Sequence, residues 1–190
     1  MPDQTISLPI PDALPSLSTP DGVHRLAMSF LPVLAGASRA ARADLGVLYR
    51  LALPTDLGGE SGKIVLRFRA AFAIPSAVTI ESPEGFAAGQ RCTVRVVAEK
   101  RHEDAAGRTR VRPVLDEEAT QWGRLLLDRH GLDVSDLVMS PRWRVGPRGG
   151  RSFHVRDLTA TVSSVSSECV AFTRGIGRGK AFGYGMPIIL

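Results

Sequence analysis

Three observations make this 190-residue chain an α+β protein built on antiparallel sheets. Apolar residues alternate with polar ones in short runs bounded by turn residues, the pattern of half-buried strands. Between those runs lie three stretches with helical spacing and capping signals. A 44% share of hydrophobic residues is enough for a buried core, while 19 glycines and 13 prolines divide the chain into many short elements.

The alternation is clearest at Ile64, Leu66, Phe68, Ala70 and Phe72, with Arg67 and Arg69 on the opposite face. Val47, Tyr49, Leu51 and Leu53 form a second strand, and Cys92, Val94, Val96 and Ala98 a third. Weaker runs lie near Ile6, Val111, Val138, Phe153 and Ile188. The first helix runs from Pro20 to about Leu31, with Thr19 as N-cap and Pro20 at the first helical position. Its buried stripe is Val23, Leu26, Ala27 and Phe30, and Pro32 ends it. The second runs from Asp116 to His130, with acids in its first turn, Ala119, Trp122, Leu125 and Leu126 inward, and Gly131 as its stop. The third starts near Ser164, buries Val165, Cys169 and Phe172, and ends at Gly175. This order gives two successive β-α-β-β patterns. It predicts two tandem ferredoxin-like (RRM-like) domains, 1–103 and 104–190, meeting in the polar stretch Glu103 to Gly107.

Several function classes are excluded early. The longest uncharged stretch of the first half, Leu26 to Ser38, has 13 residues and is broken by Pro32, too short for a membrane span of roughly 18–20. The opening Met-Pro-Asp-Gln-Thr shows no basic patch before an apolar run, so a cytoplasmic protein without a signal peptide is expected. Cys92 and Cys169 form no C-x-x-C pair. His102, His130 and His154 are widely spaced and no carboxylates cluster with them, so neither a metal nor another cofactor is expected.

Charge is uneven along the chain. Residues 1–90 hold 7 Lys/Arg against 8 Asp/Glu, and residues 91–190 hold 17 against 11. A basic C-terminal half points to an acidic partner, of which nucleic acid is the commonest. Three segments concentrate the charge. Gly175-Ile-Gly-Arg-Gly-Lys-Ala-Phe-Gly-Tyr-Gly185 carries five glycines, which let a backbone approach phosphate closely, and Gly177, Arg178, Gly179 and Lys180 are its candidate contacts. It follows a helix and lacks the P-loop spacing, so it suits a polymer backbone rather than a mononucleotide. The stretch Ser140 to His154 reads as a hairpin turning at Gly146 to Gly150, with Arg142 and Arg144 on one face and Arg148 and Arg151 at the tip. Arg108, Arg110 and Arg112 share one face of a strand, about 6.6 Å apart, and Lys100 and Arg101 extend that patch.

Only one residue stands out for chemistry. His24 lies at the border of the first helix's apolar stripe, where the ring is held but one nitrogen stays accessible, with Arg25 beside it. A histidine so placed can give or take a proton near neutral pH.

These segments together resemble a known family. The glycine-rich tail, followed by the apolar strand Ile188-Ile189-Leu190, resembles the C-terminal motif of the CRISPR RNA-processing endoribonucleases, most closely the CasE family of type I-E Cascade. Val23-His24-Arg25-Leu26, then Phe30-Leu31-Pro32 and Leu48-Tyr49-Arg50, is similar to that family's N-terminal block. Gln90 to Lys100 and Arg108 to Pro113 fall where the family has an arginine-rich strand pair. The likeness covers nearly all of the chain after residue 20.

The resemblance implies two ferredoxin-like domains that bind the hairpin of a CRISPR repeat and cut at the 3′ base of its stem without a metal. The ribose 2′-OH attacks the adjacent phosphate, leaving a 2′,3′-cyclic phosphate and a 5′-OH. His24 matches the catalytic histidine, which would protonate the leaving oxygen, a role worth ~10² to 10⁴ in rate. The basic hairpin would hold the stem, and the enzyme would remain on its product as a subunit of a Cascade-type complex, beside the backbone subunit and reaching target DNA only through that assembly. One departure is chemical. Many relatives carry a tyrosine three residues before the histidine, where this chain has Asp21. Either another group such as Arg25 takes over, or the protein is a hairpin-binding structural subunit that cuts slowly or not at all. An unrelated basic RNA-binding module is the remaining alternative.

Overall fold

The computed structural model describes residues 1–32, 41–53, 56, 62–147 and 149–190. Two antiparallel sheets dominate, and each is ordered so that the first strand of its unit lies between the third and fourth. The first sheet contains β1 (Asp3–Pro9), β2 (Leu48–Ala52), β3 (Lys63–Arg69) and β4 (Val78–Ile80), in the order β2-β3-β1-β4. The second contains β5 (Arg91–Val97), β8 (Leu132–Met139), β10 (Phe153–Val165) and β11 (Pro187–Ile189), in the order β11-β5-β10-β8. Both are the 4-1-3-2 order of a ferredoxin-like unit, so the expected α+β fold with two such units stands. A short strand β9 (Trp143–Val145) pairs with β10, and β6 (Glu99–Glu103) pairs with β7 (Thr109–Pro113) as a separate ribbon.

Helices α1 (Ile10–Leu17), α2 (Pro20–Ser29) and the short α3 (Ala41–Asp44) lie between β1 and β2. Val23 and Ala27 of α2 pack with Ile6, Tyr49, Leu66 and Phe68 to form the first core. Thr19 caps α2 as expected, its hydroxyl accepting from the Gly22 N–H at 3.0 Å. The missing side chain at Gly22 lets α1 pass close by, because a Cβ there would lie 2.3 Å from the Ser16 carbonyl oxygen. In the second unit α4 (Asp116–Asp128) lays Ala119, Trp122 and Leu126 on Cys92, Val94, Leu158 and Ala160.

Four expectations need correcting. The seam between units is not at Glu103 to Gly107, because β5 hydrogen-bonds to β10 and β11 and so belongs to the second sheet. That polar stretch is the turn of the β6–β7 ribbon, where Asp104 accepts from the Ala106 and Arg108 N–H groups at 3.0 and 2.9 Å. A boundary after residue 103 would cut the ribbon in two. The third helix is also wrong in extent. β10 continues through Val165, and only Ala171–Arg174 (α5) is helical. Leu125 is exposed, whereas Leu127 takes the inward position on α4. Finally, Arg69 does not face solvent. It is 1% exposed, donates to fully buried Asp3 at 2.7 and 2.9 Å, and stacks its guanidinium 3.6 Å from the Phe172 ring. That stack ties the first sheet to the second unit.

Candidate active site and nucleic-acid interface

His24 projects from the middle of α2, whose start is fixed by the Thr19 cap and whose buried face anchors it to the first sheet. The side chain is half-buried. Its Nδ1 is sealed from solvent and has no hydrogen-bond partner among the described residues. Nε2 is the ring nitrogen left for a ligand. A buried polar nitrogen without a partner is costly in a resting structure and marks a place where function outranks satisfaction.

The ring packs against Phe182, with centroids 5.9 Å apart. Phe182 belongs to a 3-10 turn, Lys180–Phe182, inside the glycine-rich tail, and this turn packs on α2. The guanidinium of Arg151 lies 5.0 Å from the centroid of the same Phe182 ring. Arg151 is held there by Asp21, which accepts at 2.7 Å. Asp21 and His24 are three residues apart on α2 and so share a face. An imidazole and a guanidinium thereby meet one aromatic ring, with a carboxylate paired to the guanidinium. This set can supply a proton and stabilise an oxyanion. Arg25, expected beside His24, is exposed and has no hydrogen-bond partner among the described residues, so nothing draws it into the cluster.

The tail is a packed platform under this cluster. All five of its glycines have positive φ. Tyr49, fully buried on β2, donates its hydroxyl to the Ala181 carbonyl at 2.7 Å, and a Cβ on Gly183 (φ 82°) would lie 2.8 Å from the Tyr49 ring. Burial pushes the Tyr49 hydroxyl well above its usual range and the Tyr184 hydroxyl to about 12. Both tyrosines therefore stay neutral near pH 7. Gly177 is also committed within the fold. Its N–H donates to His130 Nε2 at 3.1 Å, and His130 Nδ1 sits 2.8 Å from the Leu126 carbonyl. Arg178 pairs with Glu99. Gly179 starts the 3-10 turn, and Lys180 lines a cleft on the turn's other side.

The predicted hairpin forms, with Val145 opposite Phe153 and Trp143 opposite Val155. Arg142 and Arg144 are exposed on its first arm, Arg144 donating to the Pro147 carbonyl and Ser152 hydroxyl, both at 3.1 Å. Arg148 lies outside the described residues. The β6–β7 ribbon is less available than its sequence implies. Lys100 and Arg112 both pair with Glu118 at 2.5 Å, and Arg108 and Arg110 both pair with Asp104 at 3.0 Å. Arg101 is exposed with no ion-pair partner among the described residues. Arg108 precedes β7 rather than sharing its face. Among the described residues no three of His, Cys, Asp and Glu gather to hold a metal ion, and no helix is long and apolar enough to cross a membrane.

No family model and no curated protein matches the sequence. Solved structures do. The CRISPR endoribonuclease Cse3 bound to a 19-nucleotide RNA is 17% identical, with 100% of each chain covered and a TM-score of 0.66. The CRISPR-associated protein Cas6e from Escherichia coli K-12 is 13% identical over 100% of this chain and 98% of its own, with a TM-score of 0.66. A chain of a CRISPR RNA-guided surveillance complex is 19% identical over 90% of this chain and 92% of its own, with a TM-score of 0.54. The fold is theirs.

Two members of the cluster had no functional signal in the sequence. Phe182 reads as one more residue of a glycine-rich tail, and Asp21 as a departure from pattern. Their roles depend on contacts with residues far along the chain, 130 positions away for Asp21 and Arg151.

Proposed function

We propose that this protein is an endoribonuclease that binds a CRISPR repeat hairpin and cuts it at the 3′ base of the stem. The observation that carries the reading is that His24 and Arg151 share the Phe182 ring, with Asp21 paired to Arg151, beside the arginine-bearing hairpin. The fold shared with Cse3 bound to RNA supports the substrate class. In the proposed reaction the 2′-OH oxygen attacks the adjacent phosphorus and its proton leaves to water. The P–O5′ bond breaks as the P–O2′ bond forms. The imidazolium of His24 gives its Nε2 proton to the departing O5′, leaving a 2′,3′-cyclic phosphate and a 5′-OH. The Arg151 guanidinium meets the charge that develops on the non-bridging oxygens. No step requires a metal. Arg142 and Arg144 bind the stem by its phosphates and A-form shape. Retention on the product would make the protein a subunit of a Cascade-type complex in the cytoplasm, as the likeness to a surveillance-complex chain suggests.

The test is incubation of the protein with its own repeat RNA in EDTA, His24→Ala alongside, with product ends identified by mass. A single cut ending in a cyclic phosphate, lost in His24→Ala, is expected. Equal cutting by the variant overturns the assignment. One observation favours a second reading, a hairpin-binding subunit without cleavage: Asp21 stands where many relatives carry a tyrosine and already occupies Arg151. Tight binding without cutting, with no activity gained by Asp21→Tyr, would select it.

A further inference from the structure

The turn that presents Phe182 to His24 carries a second functional group on its other side. Lys180 lines a cleft of about 450 Å³ together with Arg42 of α3 and Arg174 at the end of α5, and with the chain at Gly46, Val47 and Leu48. Three cations from three separate elements converge there, and among the described residues no acidic side chain lines the cleft. Among the described residues neither the Lys180 ammonium nor the Arg174 guanidinium has a hydrogen-bonding or ion-pair partner. Arg42 gives one N–H to the Val47 carbonyl at 2.6 Å, which fixes its guanidinium at the cleft wall. Burial, and then the charges of Arg42 and Arg174, hold the Lys180 ammonium below its usual range. Burial likewise lowers Arg42. Like charges gathered without a counter-charge are unfavourable in a resting protein, and an anion between them removes that cost.

We propose that this cleft is a phosphate-binding subsite for single-stranded RNA flanking the stem, formed by Lys180, Arg174 and Arg42. It rests on the reading of the protein as an RNA-hairpin nuclease and adds to it where the strand runs after the cut site. A recess of this volume suits one nucleotide rather than two paired strands. Lys180 and Phe182 are two residues apart on a 3-10 turn, about 4 Å along its axis. A strand whose scissile phosphate lies at His24 therefore reaches the cleft with a neighbouring phosphate. The subsite is separate from the stem-binding hairpin, which stands on the Phe182 side of the turn.

The experiment measures binding, so it does not depend on cleavage. The full chain is titrated with two RNAs carrying a 2′-deoxy block at the cut site, the hairpin with single-stranded flanks and the bare stem-loop. Lys180→Gln, Arg174→Gln and their combination are compared with wild type, with Lys180→Arg as the conservative variant and melting temperature as the folding control. A charge-assisted phosphate contact is worth roughly tenfold in affinity. The Gln variants should therefore bind the flanked RNA about tenfold more weakly and the bare stem-loop unchanged, and Lys180→Arg should restore binding. The slope of log affinity against log salt should fall by about 0.7 for the flanked RNA only. Equal losses on both RNAs, or no loss on either, overturn the proposal. If wild type prefers no repeat hairpin over unrelated stem-loops, the nuclease reading fails, and a separate arm still tests the cleft. Inorganic phosphate should shift the amide resonances of Gly46 and Gly179 in wild type but not in Lys180→Gln. No shift overturns the anion site itself, and a shift without any flank dependence overturns its assignment to an RNA strand.

Discussion

Replacing Gly183 by alanine separates two accounts of the glycine-rich tail. If the glycines serve a close approach of backbone to phosphate, the substitution should weaken RNA binding and leave the fold intact. The packing predicts otherwise. At φ 82° an alanine sits in the left-handed region, at about 1–2 kcal/mol. Its Cβ would also lie 2.8 Å from Cε2 and 3.3 Å from Cδ2 of Tyr49. Tyr49 is fully buried and its hydroxyl is anchored on the Ala181 carbonyl, so the ring has little room to retreat. Overpacking of this kind costs about 1–3 kcal/mol more.

The expected total is roughly 2–5 kcal/mol, a large share of a typical stability of about 5–15. For a chain of this size that lowers the melting temperature by roughly 4–20 °C. Gly89 is the control, because it has a similar φ of 84° but nothing within 4 Å of an added Cβ. Gly89→Ala should lose only the backbone part, about 1–2 kcal/mol. Thermal melts of the two variants isolate the Tyr49 contact as their difference. Equal melting temperatures would refute the packing argument, and lost RNA affinity at wild-type stability would establish the phosphate-cradle account instead.

Two further results follow from buried groups. The chain has only two tyrosines, Tyr49 beneath the tail and Tyr184 within it, so an alkaline titration of absorbance reports on that platform alone. Burial raises both hydroxyls, Tyr184 to about 12, while the unfolded chain ionises near 10. The unfolded state thus loses its protons first, and this contribution to stability, complete below pH 10, disappears as pH rises from 10 towards 12. Tyrosinate appearing near pH 10 in the folded protein would contradict the burial. The second result concerns the clamp between units: Arg69→Met leaves the Asp3 carboxylate buried with Arg67, at 2.6 Å, as its one remaining side-chain partner among the described residues. A loss of about 3–5 kcal/mol in urea unfolding is expected, and a loss under 1 would show that Arg67 alone suffices.

The legible parts of the fold were those set by local pattern. The alternation at Ile64, Leu66 and Phe68 and the Thr19-Pro20 start of α2 were each determined by residues within a turn or two. Helix α1 was hidden because Pro11 and Pro15 lie inside it, and proline normally argues against helix. Val165, Cys169 and Phe172 imitate helical spacing where a 13-residue strand is still finishing, so the sequence extends the third helix too far. A polar stretch marks a hairpin turn as readily as a linker, and only the pairing of β5 with β10 distinguishes them. His24 could be chosen from its position on a helix border. That Phe182 packs on it and that Arg151 shares that ring could not be read, since neither is near it in sequence.

Under the proposed function, Asp21 decides how Arg151 is used. The Asp21–Arg151 pair is not a buried lock: the two side chains are 44% and 54% exposed. A pair so open is worth about 0–1 kcal/mol, so an RNA phosphate can take over the guanidinium at little cost. Arg151→Ala should therefore melt within a few degrees of wild type, yet cut ~10² to 10³ times more slowly, the loss seen when one preorganised oxyanion donor is removed. Asp21→Ala then separates two roles of the carboxylate. If Asp21 only competes with phosphate for Arg151, its removal raises both RNA affinity and cleavage rate. If it aims the guanidinium across Phe182, affinity rises while the rate of the bound complex falls. Single-turnover kinetics at saturating protein measure that rate apart from binding. An Asp21→Ala protein unchanged in both quantities would mean that Arg151 reaches the phosphate without it, and the aspartate would then be no substitute for the tyrosine.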